Sequence, residues 1–333
     1  MSFSISHLQE NGLSLVSLKD ESAGTEAVLL PGYGASLFAF RVRTGNGPFS
    51  VIDNYKDLDE VRREMHRSFK GPKLSPFPCR IAGARYSFEG KEYNFSQFFS
   101  DGSAIHGLLY DKAFTSTDES ADSSSATLTM EHRYDRQDPA YPFTYDCRVQ
   151  YVLRTENLLE VRTTVTNAGK GALPLADGWH PYFQLGGKVD DWSLQFYASR
   201  IVEFNELLIP TGRLLEYDKF NTARLVGDTQ LDNCFLLERF GSGETTGSAN
   251  DAAGSANNTP ACQLYNPGNG IRVSFFPGPG YPYLQLFTPP GRRSIAVENL
   301  SAAPDSFNNK MGLLVLEPGH SQTFTVNYKV SVG

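Results

Sequence analysis

The chain has 333 residues, with 30 Lys and Arg against 37 Asp and Glu, for a formal net charge of −7. That balance argues against a nucleic-acid partner, which needs a clustered basic face, and no apolar run is long enough to span a membrane as a helix. The four cysteines (Cys79, Cys147, Cys234, Cys262) show neither C-x-x-C pairing nor zinc spacing, so they read as reduced, buried thiols of a cytoplasmic protein without a structural metal.

In chain order, the first clear element is "KDLDEVRREMHRSF", residues 56–69, where Leu58, Val61 and Met65 recur at helical spacing. Next, "DESADSSSA" (118–126) reads as a mobile hairpin tip. "YDCRVQYVL" then alternates Tyr145, Cys147, Val149, Tyr151 and Leu153 against polar residues. "LLEVRTTVTNAG" alternates Leu159, Val161, Thr163 and Val165 after a turn near Glu156–Asn157. Together they predict an antiparallel hairpin buried on one face. "GSGETTGSANDAAGSANNTP" (241–260) is too poor in apolar residues to offset its ordering entropy and is expected to be a flexible loop. The closing "QTFTVNYKVSV" alternates again through Phe324, Val326, Tyr328 and Val330. Abundant Phe, Tyr, Val and Thr, with frequent Gly and Pro, make the chain an all-β, largely antiparallel sandwich. One domain, 1–333, with one or two short helices is the expectation.

Nucleotide, flavin and metal motifs are absent: no P-loop, no G-x-G-x-x-G after a strand, no H-E-x-x-H, no G-x-S-x-G. Cofactor-free proton transfer or hydrolysis is the chemistry left. Five residues stand out from their contexts. Arg80, in "FPCRIAG", precedes a strand, and a hydroxyl or carboxylate ligand and a plain salt bridge are equally compatible with it. His106, in "SAIHGLL", has a glycine beside it that permits close approach of another group. His180, in "DGWHPYF", is held extended by Pro181; packed core, ligand and acid all fit it. Asp232 sits at a turn before "NCFLL". Glu298 follows the apolar run "SIAV", at an expected sheet end. A histidine and a carboxylate together can give and take protons near neutrality.

These segments, in this order, resemble the aldose 1-epimerase (galactose mutarotase) family. "CRIAGARYSF" is similar to its arginine segment, "AIHGLL" to its L-H-G-G histidine, and "GWHPYFQL" to its H-P-Y-F-N-L histidine. "LIPTG" is similar to a recurrent family turn and "LDNCF" to its aspartate segment. "SIAVENLSAAPDSFNN" and "LEPGHSQTF" resemble its glutamate block and closing strand. Cys79 stands where the family has asparagine, Leu108 where it has a second glycine, and Asn299 gives Glu298 an unusual neighbour.

The resemblance implies a galactose mutarotase-like supersandwich that interconverts the α and β anomers of a hexose. Glu298 would be general base on the C1 hydroxyl and His180 general acid at the ring oxygen, on opposite sides of the reacting bond. His106 would polarise the ring oxygen or share the acid role, and Arg80 and Asp232 would hold other hydroxyls. Trp179, Tyr182, Phe183, Tyr281 and Tyr283 are candidate surfaces for the sugar's apolar face or else core. The same scaffold also admits a non-catalytic sugar binder, a glycoside hydrolase, or a phosphosugar mutarotase using Lys70, Lys73, Arg292 or Arg293.

Overall fold

The structure is a computed structural model that describes residues 2–96, 99–238 and 259–333. Its ladders are antiparallel. Among the described residues the α-helices are Leu58–Ser68 and Ser306–Asn309, and no helix is long and apolar enough to cross a membrane.

Two nine-stranded sheets share one core. The first runs, in spatial order, Thr115–Ala121, Ser125–Asp135, Thr144–Arg154, Leu158–Asn167, Ser321–Val332, Ile271–Pro277, Cys262–Tyr265, Ser193–Phe196 and Arg224–Leu225. The second runs Pro210–Glu216, Ala198–Phe204, Asp232–Leu237, Tyr283–Phe287, Ile295–Leu300, Gly178–Trp179 and Lys73–Leu74. Tyr182–Phe183 also pairs with Ile295–Leu300 and continues the sheet to Ile52–Asp53. A five-stranded N-terminal meander spans Phe3 to Ser50.

The period-2 reading of the hairpin holds. Tyr145, Cys147, Val149, Tyr151 and Leu153 are at most 1% exposed, and they join Phe235, Leu284, Leu286, Ile295 and Val297 of the other sheet in the core. The turn places Glu156 and Asn157 in the left-handed region. The expected helix is shorter than 56–69. Asp57 caps its start by accepting from the Glu60 N–H, and Phe69 ends it with a left-handed φ of 48°.

One loop expectation changes and the other falls mostly on residues the structure does not describe. In the 118–126 stretch, paired strands reach Ala121 and resume at Ser125, so only 122–124 forms the tip, braced by Asp122 accepting from the Ser124 and Ser125 N–H groups. The predicted loop at 241–260 lies outside the described residues apart from Thr259 and Pro260. All four cysteines are free and buried.

Alternation on Ile295–Leu300 creates the special surface. Ile295 and Val297 enter the sandwich core, so Glu298 and Leu300 point to the opposite face. That face is itself covered: Leu300 packs in a second apolar cluster with Leu74, Cys79, Cys234, Tyr283 and Ala303. All six residues of the strand are therefore buried. Glu298 is not at a sheet end, as the sequence suggested, but inside the strand, directly opposite Gln285.

Candidate active site

His180 is fixed by its backbone. Its N–H donates to the Pro72 carbonyl at 3.4 Å, and its carbonyl accepts from the Gly71 N–H at 2.9 Å. Pro181 follows, and its carbonyl accepts from Val297, which ties the segment to the strand carrying Glu298. The imidazole stacks on Tyr182, with centroids 5.0 Å apart and planes at 17°.

His106 arrives from the other side. Gly107 crosses Ser75 so closely that an added Cβ would lie 2.3 Å from the Ser75 carbonyl oxygen. Its φ of 75° is one that glycine adopts freely. His106 itself has a left-handed φ of 61°. It is half-buried, its ring lying against Phe69 (4.6 Å between centroids) and edge-on to His180 (4.9 Å, 79°). The Cys79 N–H donates to His106 Nδ1 at 3.2 Å. A neutral ring must then carry its proton on Nε2, since a second proton at Nδ1 would oppose that N–H.

Glu298 completes the cluster. Its Oε1 lies 3.4 Å from His180 Nε2, and both side chains are nearly closed off. One ligand-type atom from each of His106, His180 and Glu298 falls within 4.8 Å of the others. The carboxylate and imidazole expected to face each other across a reacting bond in fact touch. Chemically the set resembles a two-histidine, one-carboxylate metal site. The protonated Nε2 of His106 is a donor rather than a ligand, however, which leaves two donors and favours proton chemistry.

Arg80 and Asp232 flank this cluster in different states. Asp232 opens the Asp232–Leu237 strand and accepts from Gln285 Nε2 at 2.9 Å. Arg80 holds a salt bridge, Nε to Asp101 Oδ2 at 3.1 Å, and its charge partly offsets the burial that raises both Asp232 and Glu298 above the usual carboxyl range. Its carbonyl accepts from the Asp305 N–H, and the Asp305 carboxylate accepts from the Ala82 N–H. Asn308 Nδ2 donates to the same Asp305 carboxylate and to the Arg85 carbonyl, so this pair of the "PDSFNN" segment holds the arginine segment.

Burial sets the protonation. Desolvation, then the Asp232 charge, raises the Glu298 carboxyl well above the usual range, with Arg80 opposing. Desolvation lowers His180 to about 4. His106 is held well below its ordinary value by desolvation, then by His180 and Arg80. Between these limits the pair holds one proton, and these directions place it on the Glu298 carboxyl. The forms with it on the carboxyl or on the imidazole differ by a transfer across one 3.4 Å contact.

The five candidate aromatics are all buried. Only Tyr182 touches the cluster through a ring contact with His180; Trp179, Phe183 and Tyr281 belong to the sandwich core and Tyr283 to the second apolar cluster. Gln285, Phe69 and Tyr182's stacking role were missed or undervalued in the sequence. Gln285 had a usable signal: like Glu298, it is a lone polar residue inside an apolar run, "YLQLF".

Fold and cluster together define a β-sandwich protein with a buried carboxylate–imidazole pair. The aldose 1-epimerase family model matches residues 14–329, and the chain belongs to that family. It is 28% identical over 261 residues to the uncharacterized protein YihR of Escherichia coli K12, covering 77% of each chain. Over a shorter stretch of 114 residues, 34% of this chain and 36% of the other, it is 33% identical to YphB of the same organism. Among solved structures, it resembles galactose 1-epimerase from Lactobacillus acidophilus (TM-score 0.80, 20% identity, all of both chains). It also resembles a galactose mutarotase-like protein from Clostridium acetobutylicum (TM-score 0.84, 15% identity, 100% of this chain and 99% of the other). At these identities the structures speak for the fold. Family membership makes the protein an isomerase-type enzyme acting on a small sugar.

Proposed function

We propose that the protein interconverts the α and β anomers of an uncharged aldohexose by general acid–base ring opening and closure. The observation that carries this reading is the 3.4 Å contact between His180 Nε2 and Glu298 Oε1. The C1 hydroxyl and ring oxygen sit on the same carbon, so the groups serving them must be close neighbours. Two carboxylates flanking a glycosidic bond stand roughly 5–9.5 Å apart instead, and the pair in contact here is a carboxylate and an imidazole.

Glu298, as carboxylate, takes the C1 hydroxyl proton while His180, as imidazolium, gives one to the ring oxygen. The C1–ring oxygen bond breaks and leaves an open-chain aldehyde. Rotation about C1–C2 presents the other carbonyl face, and closure returns both protons. His106, locked with its proton on Nε2, donates a hydrogen bond to the ring oxygen rather than sharing the acid role. Asp232 binds another hydroxyl, as does Arg80 through the guanidinium nitrogens other than the Nε that Asp101 holds.

An uncharged sugar is favoured because the cations that could hold a phosphate already carry carboxylates. Lys70 pairs with Asp53 at 3.0 Å, Lys73 with Asp177 at 2.6 Å and Arg292 with Asp190 at 2.5 Å. Of the four basic residues considered for a phosphate, Arg293, exposed on the loop before Ile295, is the one without such a pair among the described residues.

¹H NMR of anomeric exchange with galactose, glucose and glucose 6-phosphate tests the reading. Acceleration with a neutral hexose is expected. Acceleration only with glucose 6-phosphate would replace the substrate class, and sugar binding with no acceleration would leave a binding protein.

A further inference from the structure

The sandwich contains an ion pair with no solvent access. Lys73 Nζ lies 2.6 Å from Asp177 Oδ1, and both side chains are 0% exposed. The ammonium also donates to the Gly178 carbonyl at 2.7 Å and stands 4.4 Å from the Trp179 ring centroid. Tyr281 donates its hydroxyl to Asp177 Oδ1 at 2.6 Å. Burial pushes Lys73 down and Asp177 up, each countered by the other. Such a pair is a poor way to stabilise a core, because desolvating two ions offsets most of their attraction, and apolar residues of similar volume often serve better.

Its connections lie with the proton-transfer groups. Asp177 precedes His180 by three positions, and Ser301 follows Glu298 by three. Those two flanks are bonded reciprocally: the Asp177 N–H donates to Ser301 Oγ and the Ser301 N–H donates to the Asp177 carbonyl, each at 2.8 Å. On the lysine side, Gly71 and Pro72 clamp the His180 backbone, and Lys73–Leu74 pairs with Gly178–Trp179. The same run continues to Ser75, which bridges Gly107, and to Cys79, which bonds the His106 ring. The segments bearing His106, His180 and Glu298 are therefore tied to the two segments that this pair joins.

We propose that Lys73 and Asp177 are positioning residues: their buried ion pair, through Ser301, sets the separation of His180 and Glu298. The inference rests on the acid–base reading of the site above. It assigns neither residue a contact with substrate.

The test removes both charges at once, in Lys73→Met/Asp177→Leu, so that no unpaired ion is left behind. A thermal midpoint close to or above wild type is expected, with kcat lower by about 10–100-fold and KM nearly unchanged, since an ångström of misplacement costs on that order. A folded double variant with wild-type kcat would overturn the proposal. Should the double variant fail to fold, Ser301→Ala breaks only the Asp177 N–H to Ser301 Oγ bond, and its kcat must fall with KM held; an unchanged kcat overturns the idea equally.

The His180 ring titration, followed by NMR without any sugar, separates this inference from the enzymatic reading. Movement of that titration in Ser301→Ala, in a protein that turns over no sugar, would keep the positioning role and sink the proposed reaction. An active wild type whose kcat and His180 titration both ignore the substitutions would do the reverse.

Discussion

Replacing Glu298 by Gln keeps the shape of a side chain that is 2% exposed while removing its ability to ionise. Two consequences of opposite sign follow. On the proposed mechanism catalysis loses its base, an effect of about 10²–10⁴ in rate, so kcat should fall at least about a hundredfold. Stability moves the other way. The folded-state pKa of Glu298 is raised by burial and by Asp232, so above the ordinary carboxyl pKa the unfolded chain ionises while the folded chain must hold its proton. The folded protein then binds more protons than the unfolded one. Wild-type stability therefore declines relative to Glu298→Gln as pH rises from the ordinary carboxyl pKa towards the folded one, by about 1.4 kcal/mol per pH unit, and levels off beyond it. Polarimetric mutarotation of an α-hexose gives the first quantity, and urea unfolding of both proteins between about pH 4 and 8 gives the second. A variant with turnover within a few-fold of wild type would refute Glu298 as base. A stability difference independent of pH would refute its raised pKa.

Three further outcomes are expected. The kcat/KM profile should be a broad plateau. Its acid limb falls near His180's pKa of about 4, where the pair gains a second proton. Its alkaline limb is set by the raised Glu298, where the last shared proton is lost; a narrow bell centred between ordinary carboxyl and imidazole values would contradict this burial-driven order. ¹⁵N NMR should show His106 protonated at Nε2 alone across neutral pH, as the Cys79 N–H contact requires, and a protonated Nδ1 would remove the tautomer lock. Gly107→Ala should lower the thermal midpoint and disrupt the His106 turn, because the new Cβ meets the Ser75 backbone at a positive φ; a fully stable, fully active variant would show that the chain relaxes there.

Local pattern made most of the fold legible. Alternation over Tyr145–Leu153, Leu159–Val165 and Phe324–Val330 identified strands and their buried faces correctly, because the strand period of two is a property of the backbone and is written in consecutive residues. The helix was found to within its ends, where Asp57 and Phe69 stop it. The ordered motifs pointed to the family whose model matches residues 14–329.

Other features depended on residues far apart in the chain. Glu298 read as a strand terminator because "SIAV" ends beside it, yet strand pairing carries on to Leu300 with Gln285 and Gly178 as cross-strand partners. The face it shares with Leu300 is covered by an apolar cluster in which Leu300 packs with Leu74, Cys79 and Cys234, all distant in sequence. The 3.4 Å meeting with His180 joins groups 118 positions apart, and the protonation of both follows from the solvent that this packing removes. Lys73 looked like an available surface cation until the two sheets closed over it and Asp177. Which side of a strand a residue occupies is local information, whereas what covers that side, and hence every distance and pKa at the site, is decided only when the sheets assemble.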